Sequence, residues 1–78
     1  MVTKQQRYYS GEDIRAGDFI CYGRVPGVIV LVNDTGERIP DFIADCSEMG
    51  SGFLLRQENG AMIFLDEADE DLELVRRA

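Results

Sequence analysis

Apolar and polar positions fall in short blocks separated by glycine, proline and asparagine, the pattern of a small β protein. Phe19, Ile20, Cys21 and Tyr22 make the first block of strand-favouring residues. Residues 23–27, bounded by Gly23 and Gly27 with Pro26 between them, read as a turn cluster that cannot continue a ladder. The unbroken run 28–32 (Val, Ile, Val, Leu, Val) then predicts a strand apolar on both faces, and Asn33, Asp34, Thr35 and Gly36 break it. Residues 53–58 and 61–65 flank Asn59 and Gly60, the pair that a two-residue type I′ turn wants. That turn sets Glu58 opposite Ala61, Gln57 opposite Met62, Arg56 opposite Ile63, Leu55 opposite Phe64 and Leu54 opposite Leu65. One face then carries Phe53, Leu55, Met62 and Phe64; the other carries Leu54, Ile63, Leu65 and the stem of Arg56. Leu72, Glu73, Leu74 and Val75 alternate as a last short strand.

Helical signals are sparse. Residues 1–10 show no sustained period and read as a loose arm. Ser10, followed by Glu12, Asp13 and Ile14, is a weak helix start that Gly17 ends after barely a turn. In residues 39–50, Pro40 suits a first helical position and Gly50 an end. Phe42, Ile43, Cys46 and Met49 recur at helical spacing, with Asp41, Asp45 and Glu48 outside. This pattern favours a short helix over residues 40–49; a loop with a short strand at 41–44 is the alternative. The expected fold is mainly β: residues 1–78 as a single domain, a small, partly open barrel of about five strands with one short helix.

The run Ile14, Arg15, Ala16, Gly17, Asp18, Phe19, Ile20, Cys21, Tyr22, Gly23, followed by Gly27, Val28 and Ile29, resembles the opening of SH3-like barrels of the KOW type. There a Gly-Asp pair enters the first strand and a glycine-bearing loop precedes an apolar second strand. The likeness covers residues 14–32. Sm-like proteins share the barrel, although their paired motifs are not found here. A looser likeness joins Gly50-Ser51-Gly52-Phe53-Leu54, Asn59-Gly60, Leu65-Asp66-Glu67 and Asp69-Glu70-Asp71-Leu72-Glu73-Leu74. Their layout is similar to that of small orphan bacterial proteins, some of which accompany secreted toxins as immunity proteins. The first resemblance implies RNA binding; the second implies a protein that binds and blocks another protein.

Composition narrows these options. The chain has 78 residues, 45% of them apolar, with a net charge of −7. It contains no histidine and two cysteines, which removes a Ser-His-Asp triad, a histidine base, a His-containing zinc site and a four-thiolate site. Cys21 and Cys46 are expected as buried free thiols, since nothing resembles a secretory leader or a disulfide-dense scaffold. The longest apolar run, at five residues, is far short of the roughly 20 of a membrane helix. A cytoplasmic protein is expected. Asp69, Asp71 and Glu73 alternate as in a calcium loop, but Leu74 stands where the turn glycine belongs. Gly50-Ser51-Gly52 lacks the third glycine and the lysine of phosphate loops. No enzyme activity, metal or cofactor is expected.

The acids are unevenly placed: residues 66–73 carry six of the fifteen and no base. The leading expectation is a non-enzymatic protein-binding module, an immunity or regulatory inhibitor of a basic partner. Asp66, Glu67, Asp69, Glu70, Asp71 and Glu73 would steer the encounter, and an apolar strand face with Leu54 and Ile63 would supply affinity. The alternative is a Sm-like or KOW-like RNA-binding module using Tyr22, Arg24, Arg38 and Arg56, with the eight bases outnumbered by acids. The strands that are apolar on both faces leave two explanations open. Either the 40–49 helix and the N-terminal arm cover the outer face, or that face contacts a partner or a second copy in a homodimer or higher oligomer.

Overall fold

Turn chemistry sets the first hairpin. In the computed structural model, which describes residues 5–77, β1 (Phe19–Tyr22) pairs antiparallel with β2 (Val25–Val32), and Tyr22 faces Val25. Gly23 and Arg24 are left as a two-residue turn with φ of 58° and 70°, the left-handed pair of a type I′ turn. The expected 23–27 turn cluster is therefore corrected: Val25, Pro26 and Gly27 belong to the ladder. Pro26 is tolerated because its carbonyl, on the same edge as its missing N–H, meets the Glu58 amide (2.9 Å) beyond the end of the neighbouring strand. Gly27 is required by proximity, since a Cβ there would lie 2.6 Å from the Arg56 carbonyl oxygen.

Four further strands complete one antiparallel sheet: β3 (Glu37–Arg38), β4 (Phe53–Gln57), β5 (Met62–Leu65) and β6 (Leu72–Arg76). The order is β5-β4-β2-β1-β6, with β3 beside β2. The last strand thus returns to lie against the first, and the sheet stays open between β5 and β6. The mainly-β expectation holds.

A bulge explains the two-faced run 28–32. Ile29 faces Leu55 but Leu31 faces Leu54, leaving one extra residue in β2. Ile29 and Val32 consequently enter the inner core with Tyr8, Ile14, Ile20, Phe53, Leu55 and Leu72. Val30 and Leu31 join Leu54 in a second cluster on the outer face, where Val28, Ile39, Phe42, Cys46 and Phe64 pack against them.

That cover is not a helix. Among the described residues the only helical element is a 3-10 turn, Ser47–Met49, so the expected helix over 40–49 is corrected to an irregular strap. Asn33 donates to the carbonyls of Cys46 (2.9 Å) and Gly50 (2.7 Å), and Arg38 to that of Ala44 (3.1 Å). The Ala44 carbonyl is one that a helix over 40–49 would need for itself, and the two Asn33 bonds tie the end of the strap to the loop after β2. Phe42 and Cys46 still reach the outer cluster, but Ile43 is 88% exposed and Met49 is half exposed. The helix start at Ser10 is likewise absent; the Ser10 hydroxyl donates to Glu12, and Arg7 and Asp13 form an isolated bridge.

The hairpin β4–β5 also departs from expectation. Leu55 faces Ile63 and Leu54 faces Phe64, one residue away from the type I′ register. The connection is a three-residue loop, Glu58 to Gly60. Only Gly60 takes positive φ, at 90°, and the Gln57 amide donates to the Ala61 carbonyl (2.8 Å) across it. Asn59 instead uses its side chain to accept from the Ala61 amide (3.0 Å). A one-residue slip moves every side chain of a strand to the other face. Ile63 and Leu65 therefore pack inward, and Phe64 packs outward.

The first four residues of the expected loose arm lie outside the described residues. The rest of that arm is not loose: Gln6 and Tyr8 are buried. The Tyr8 hydroxyl donates to Asp18 (2.7 Å), a carboxylate 2% exposed that also accepts from the Arg15 amide (2.9 Å) and from Arg77 (3.2 Å). Burial first, and the bond to Asp18 second, push the Tyr8 phenol well above its ordinary range. Gln6 donates to Asp34 (3.1 Å) and to the Asp66 carbonyl (3.1 Å). The segment around Gln6 and Tyr8, and Arg77 beyond β6, are thus held to the sheet by polar contacts to Asp18, Asp34 and the Asp66 carbonyl.

Candidate functional site

The acidic stretch forms the β5–β6 connection and the first residues of β6. Its shape follows from short polar contacts rather than from a regular element. The Tyr22 hydroxyl donates to Asp69 (3.0 Å), which also accepts from the Asp71 amide (2.9 Å) in a local side-chain turn. Ala68 packs against the inner core and Leu72 is buried in it. The segment is anchored at both ends while Asp66, Glu67, Asp69, Glu70, Asp71 and Glu73 stay exposed. The bond from Tyr22 to Asp69 raises the phenol above its usual range, with desolvation adding to it.

Glu70, Asp71 and Glu73 line an open cleft of about 510 Å³ with Cys21, Gly23 and Arg24. Among the described residues the only base on its wall is Arg24, presented by the type I′ turn of the first hairpin. Among the described residues none of these three carboxylates forms an ion pair, and no group of three or more Cys, Asp or Glu side chains is close enough to hold a metal ion. The cleft is a negatively charged rim, at the end of β1 and the start of β6.

The apolar half of the expected contact face is not where the sequence placed it. Leu54 is buried in the outer cluster and Ile63 is half-buried against the inner core. They lie on opposite faces of the sheet, a direct result of the register correction in β4–β5. Neither presents an exposed surface beside the acidic rim.

The four residues proposed for RNA are dispersed. Tyr22 packs against the inner core and points its hydroxyl at Asp69. Arg24 sits at the β1–β2 turn, Arg38 lies opposite Leu31 near the far end of β2, and Arg56 lies opposite Val28. From residue 25 to residue 31 a strand advances roughly 20 Å, so Arg24 and Arg38 stand at opposite ends of the molecule's longest strand. No aromatic platform joins them.

A second cleft, of about 620 Å³, lies over the buried Asp18 and is lined by Arg7, Glu12, Asp13, Arg15 and Arg77. Most of its charges are paired, but Glu12 accepts from Ser10 and forms no ion pair among the described residues. Arg7 pairs with Asp13 (3.3 Å), Arg15 with Glu37 (2.7 Å) and Arg77 with Asp18 (3.2 Å). The Arg15 bond, the Glu37 carboxylate's largest influence, holds that group below its usual range. These contacts bind the segment before β1 and Arg77 to the sheet.

The residues that sequence reasoning missed are Phe19 and Arg76. Phe19 is 39% exposed, and the Arg76 guanidinium lies 4.5 Å above its ring. Their neighbourhood depends on β6 returning to β1, which local pattern does not reveal. No family model, curated protein or solved structure matches this chain. Among the described residues, no helix is long and apolar enough to cross a membrane.

Proposed function

We propose that this chain is a non-enzymatic, cytoplasmic protein-binding module on an SH3-like scaffold, acting as a regulatory or immunity-type inhibitor of a basic protein. The observation that carries this reading is the anchored acidic rim. Its carboxylates are exposed and form no ion pair among the described residues, yet both flanks of the segment are fixed in the core. A charged segment held in place loses less conformational freedom on association than a mobile tail. It also steers a basic partner at long range. The return of β6 beside β1 supports the SH3-like part of the reading. The RNA alternative has weaker support, because its four residues do not share a surface.

The test is partner capture from the source cells by the wild-type chain and by a Glu67→Gln, Glu70→Gln, Asp71→Asn variant, which leaves the Tyr22–Asp69 contact intact. The expected result is a basic protein retained by the wild type, released by salt and lost with the variant. Retention that survives neutralisation and salt would overturn the role of the rim. Failure to retain any protein, together with binding of single-stranded RNA at low salt, would favour the alternative.

A further inference from the structure

The sheet register creates a charge pattern on the outer face that no single strand displays. One rung runs Arg56, Val28, Phe19, Arg76 across β4, β2, β1 and β6, with Met62 beside Arg56 on β5. The next rung toward the acidic rim runs Pro26, Cys21, Glu73. It is extended by Glu58, whose amide meets the Pro26 carbonyl. Both rungs share the outer face: Ile20, Leu55 and Leu72 point into the inner core, so Phe19, Cys21, Arg56 and Glu73 point away from it. The face therefore carries two bases on β4 and β6, one acid on β6 and one in the loop just past β4 in the next rung, and apolar or small side chains between them. Among the described residues none of these four charges forms an ion pair. Met62 is 46% and Phe19 39% exposed, and Phe19, Pro26, Val28 and Arg56 border a shallow depression of about 320 Å³.

We propose that this face binds a second copy of the chain as a two-fold dimer. An isologous interface needs a patch that complements itself under rotation. A two-fold axis running across the strands, between the rungs, sets each base rung over the partner's acid rung. Arg56 then meets the partner's Glu58, Arg76 meets the partner's Glu73, and Phe19 and Val28 cover the partner's Cys21 and Pro26. An axis along the strands would instead set bases over bases and acids over acids. Charge complementarity selects the first arrangement. The footprint is small, roughly 15 Å across four strands and two rungs deep, which places the dimer in the weak class. The net charge of −7 on each copy opposes association at low ionic strength. It is screened beyond roughly 8 Å at physiological salt, where contact pairs persist.

The proposal does not depend on the rim's having a protein partner; the Arg56→Glu, Arg76→Glu variant leaves every rim carboxylate untouched, whereas Glu73→Arg alters one that lines the rim cleft. Sedimentation from roughly 10 μM to 1 mM at physiological salt, the range suited to a weak interface, tests it. The wild type should pass from monomer to dimer. Both Arg56→Glu, Arg76→Glu and Glu58→Arg, Glu73→Arg should weaken the dimer roughly tenfold or more. The second pair reduces the net negative charge, so its loss of dimer separates local pairing from overall repulsion. Equimolar mixing of the two variants should restore association, because each supplies the charges that the other now needs. A wild type monomeric throughout, a dimer that survives either variant, or a mixture that stays monomeric overturns the proposal. Should a variant fail to show the wild-type circular dichroism, amide shifts of the wild type on dilution decide. Changes confined to Phe19, Cys21, Val28, Arg56 and Glu73 support the dimer, and none there overturn it.

Discussion

At the scale of single residues, two carboxylates organise the molecule. Asp18 joins the N-terminal segment, the loop before β1 and the C-terminal Arg77 through one buried group. Replacing it by alanine leaves Tyr8 and the Arg15 amide without an acceptor and Arg77 without its counter-charge. The Asp18→Ala variant should lose about 3 kcal/mol, read as a lowered urea midpoint. Asp34 plays a similar part at the other end of β2. Burial alone would raise its carboxyl, but bonds from Ser51 (2.6 Å), Gln6 and the Gly52 amide (2.7 Å) outweigh burial and hold it below its ordinary range. A group depressed in the folded state stabilises the fold above its unfolded pKa, about 3.9 for aspartate, and that contribution fades as pH falls through the folded value. Asp34→Asn should therefore lower the urea midpoint at neutral pH, and the gap from wild type should narrow below about pH 4. A gap constant down to pH 2 would remove Asp34 from the acid response.

At the scale of elements, most strands were legible because their apolar blocks are short and cleanly punctuated. Residues 19–22, 53–57 and 62–65 and the alternation beginning at Leu72 all became strands. What failed was the assignment of turns. Asn59-Gly60 carries the strongest local hairpin signal, yet the type I′ turn occurs at Gly23-Arg24, where Arg24 tolerates a φ of 70°. The tertiary pairing of β4 with β2 and the core demand for Leu55 and Ile63 on one face override the local preference. The strap after β3, the alternative to the favoured helix, was passed over for a related reason. Its apolar spacing fits a helix, but Asn33 and Arg38, both outside the stretch, capture its carbonyls. Two turn variants follow from this geometry. Arg24→Gly should raise stability by about 0.5–1 kcal/mol, because glycine adopts positive φ without strain. Gly52→Ala should lower it by more than about 2 kcal/mol, since Gly52 sits at φ 144° and a Cβ would strike the Leu65 carbonyl and approach the Phe64 ring to 2.7 Å. Thermal unfolding of the two variants beside wild type checks both signs, and a stabilised Gly52→Ala would contradict the packing described here.

At the scale of the whole molecule, the charge run at 66–73 was the part of the candidate site that sequence alone could locate, because an exposed loop keeps its neighbours in chain order. Its apolar companion was not legible: Leu54 and Ile63 are neighbours only under the wrong register, and Phe19, Arg56 and Arg76 become neighbours only once β6 returns to β1. The same distribution of charge predicts how stability responds to salt. Three ion pairs, Arg7–Asp13, Arg15–Glu37 and Arg77–Asp18, favour the fold and weaken as they are screened. Against them stand a net charge of −7 and the crowding of the acidic rim, which favour the more expanded unfolded chain. Two of the pairs are largely solvated, so repulsion is the larger effect and salt should stabilise. Raising sodium chloride from about 0.05 to 0.5 M, which shortens the Debye length from roughly 14 Å to roughly 4 Å, should raise the urea midpoint of the wild type. The Glu67→Gln, Glu70→Gln variant should begin from a higher midpoint at low salt and show a shallower rise. A wild-type midpoint that falls with salt would mean that the ion pairs outweigh the rim, and that the rim's carboxylates are spaced widely enough to be tolerated without a partner.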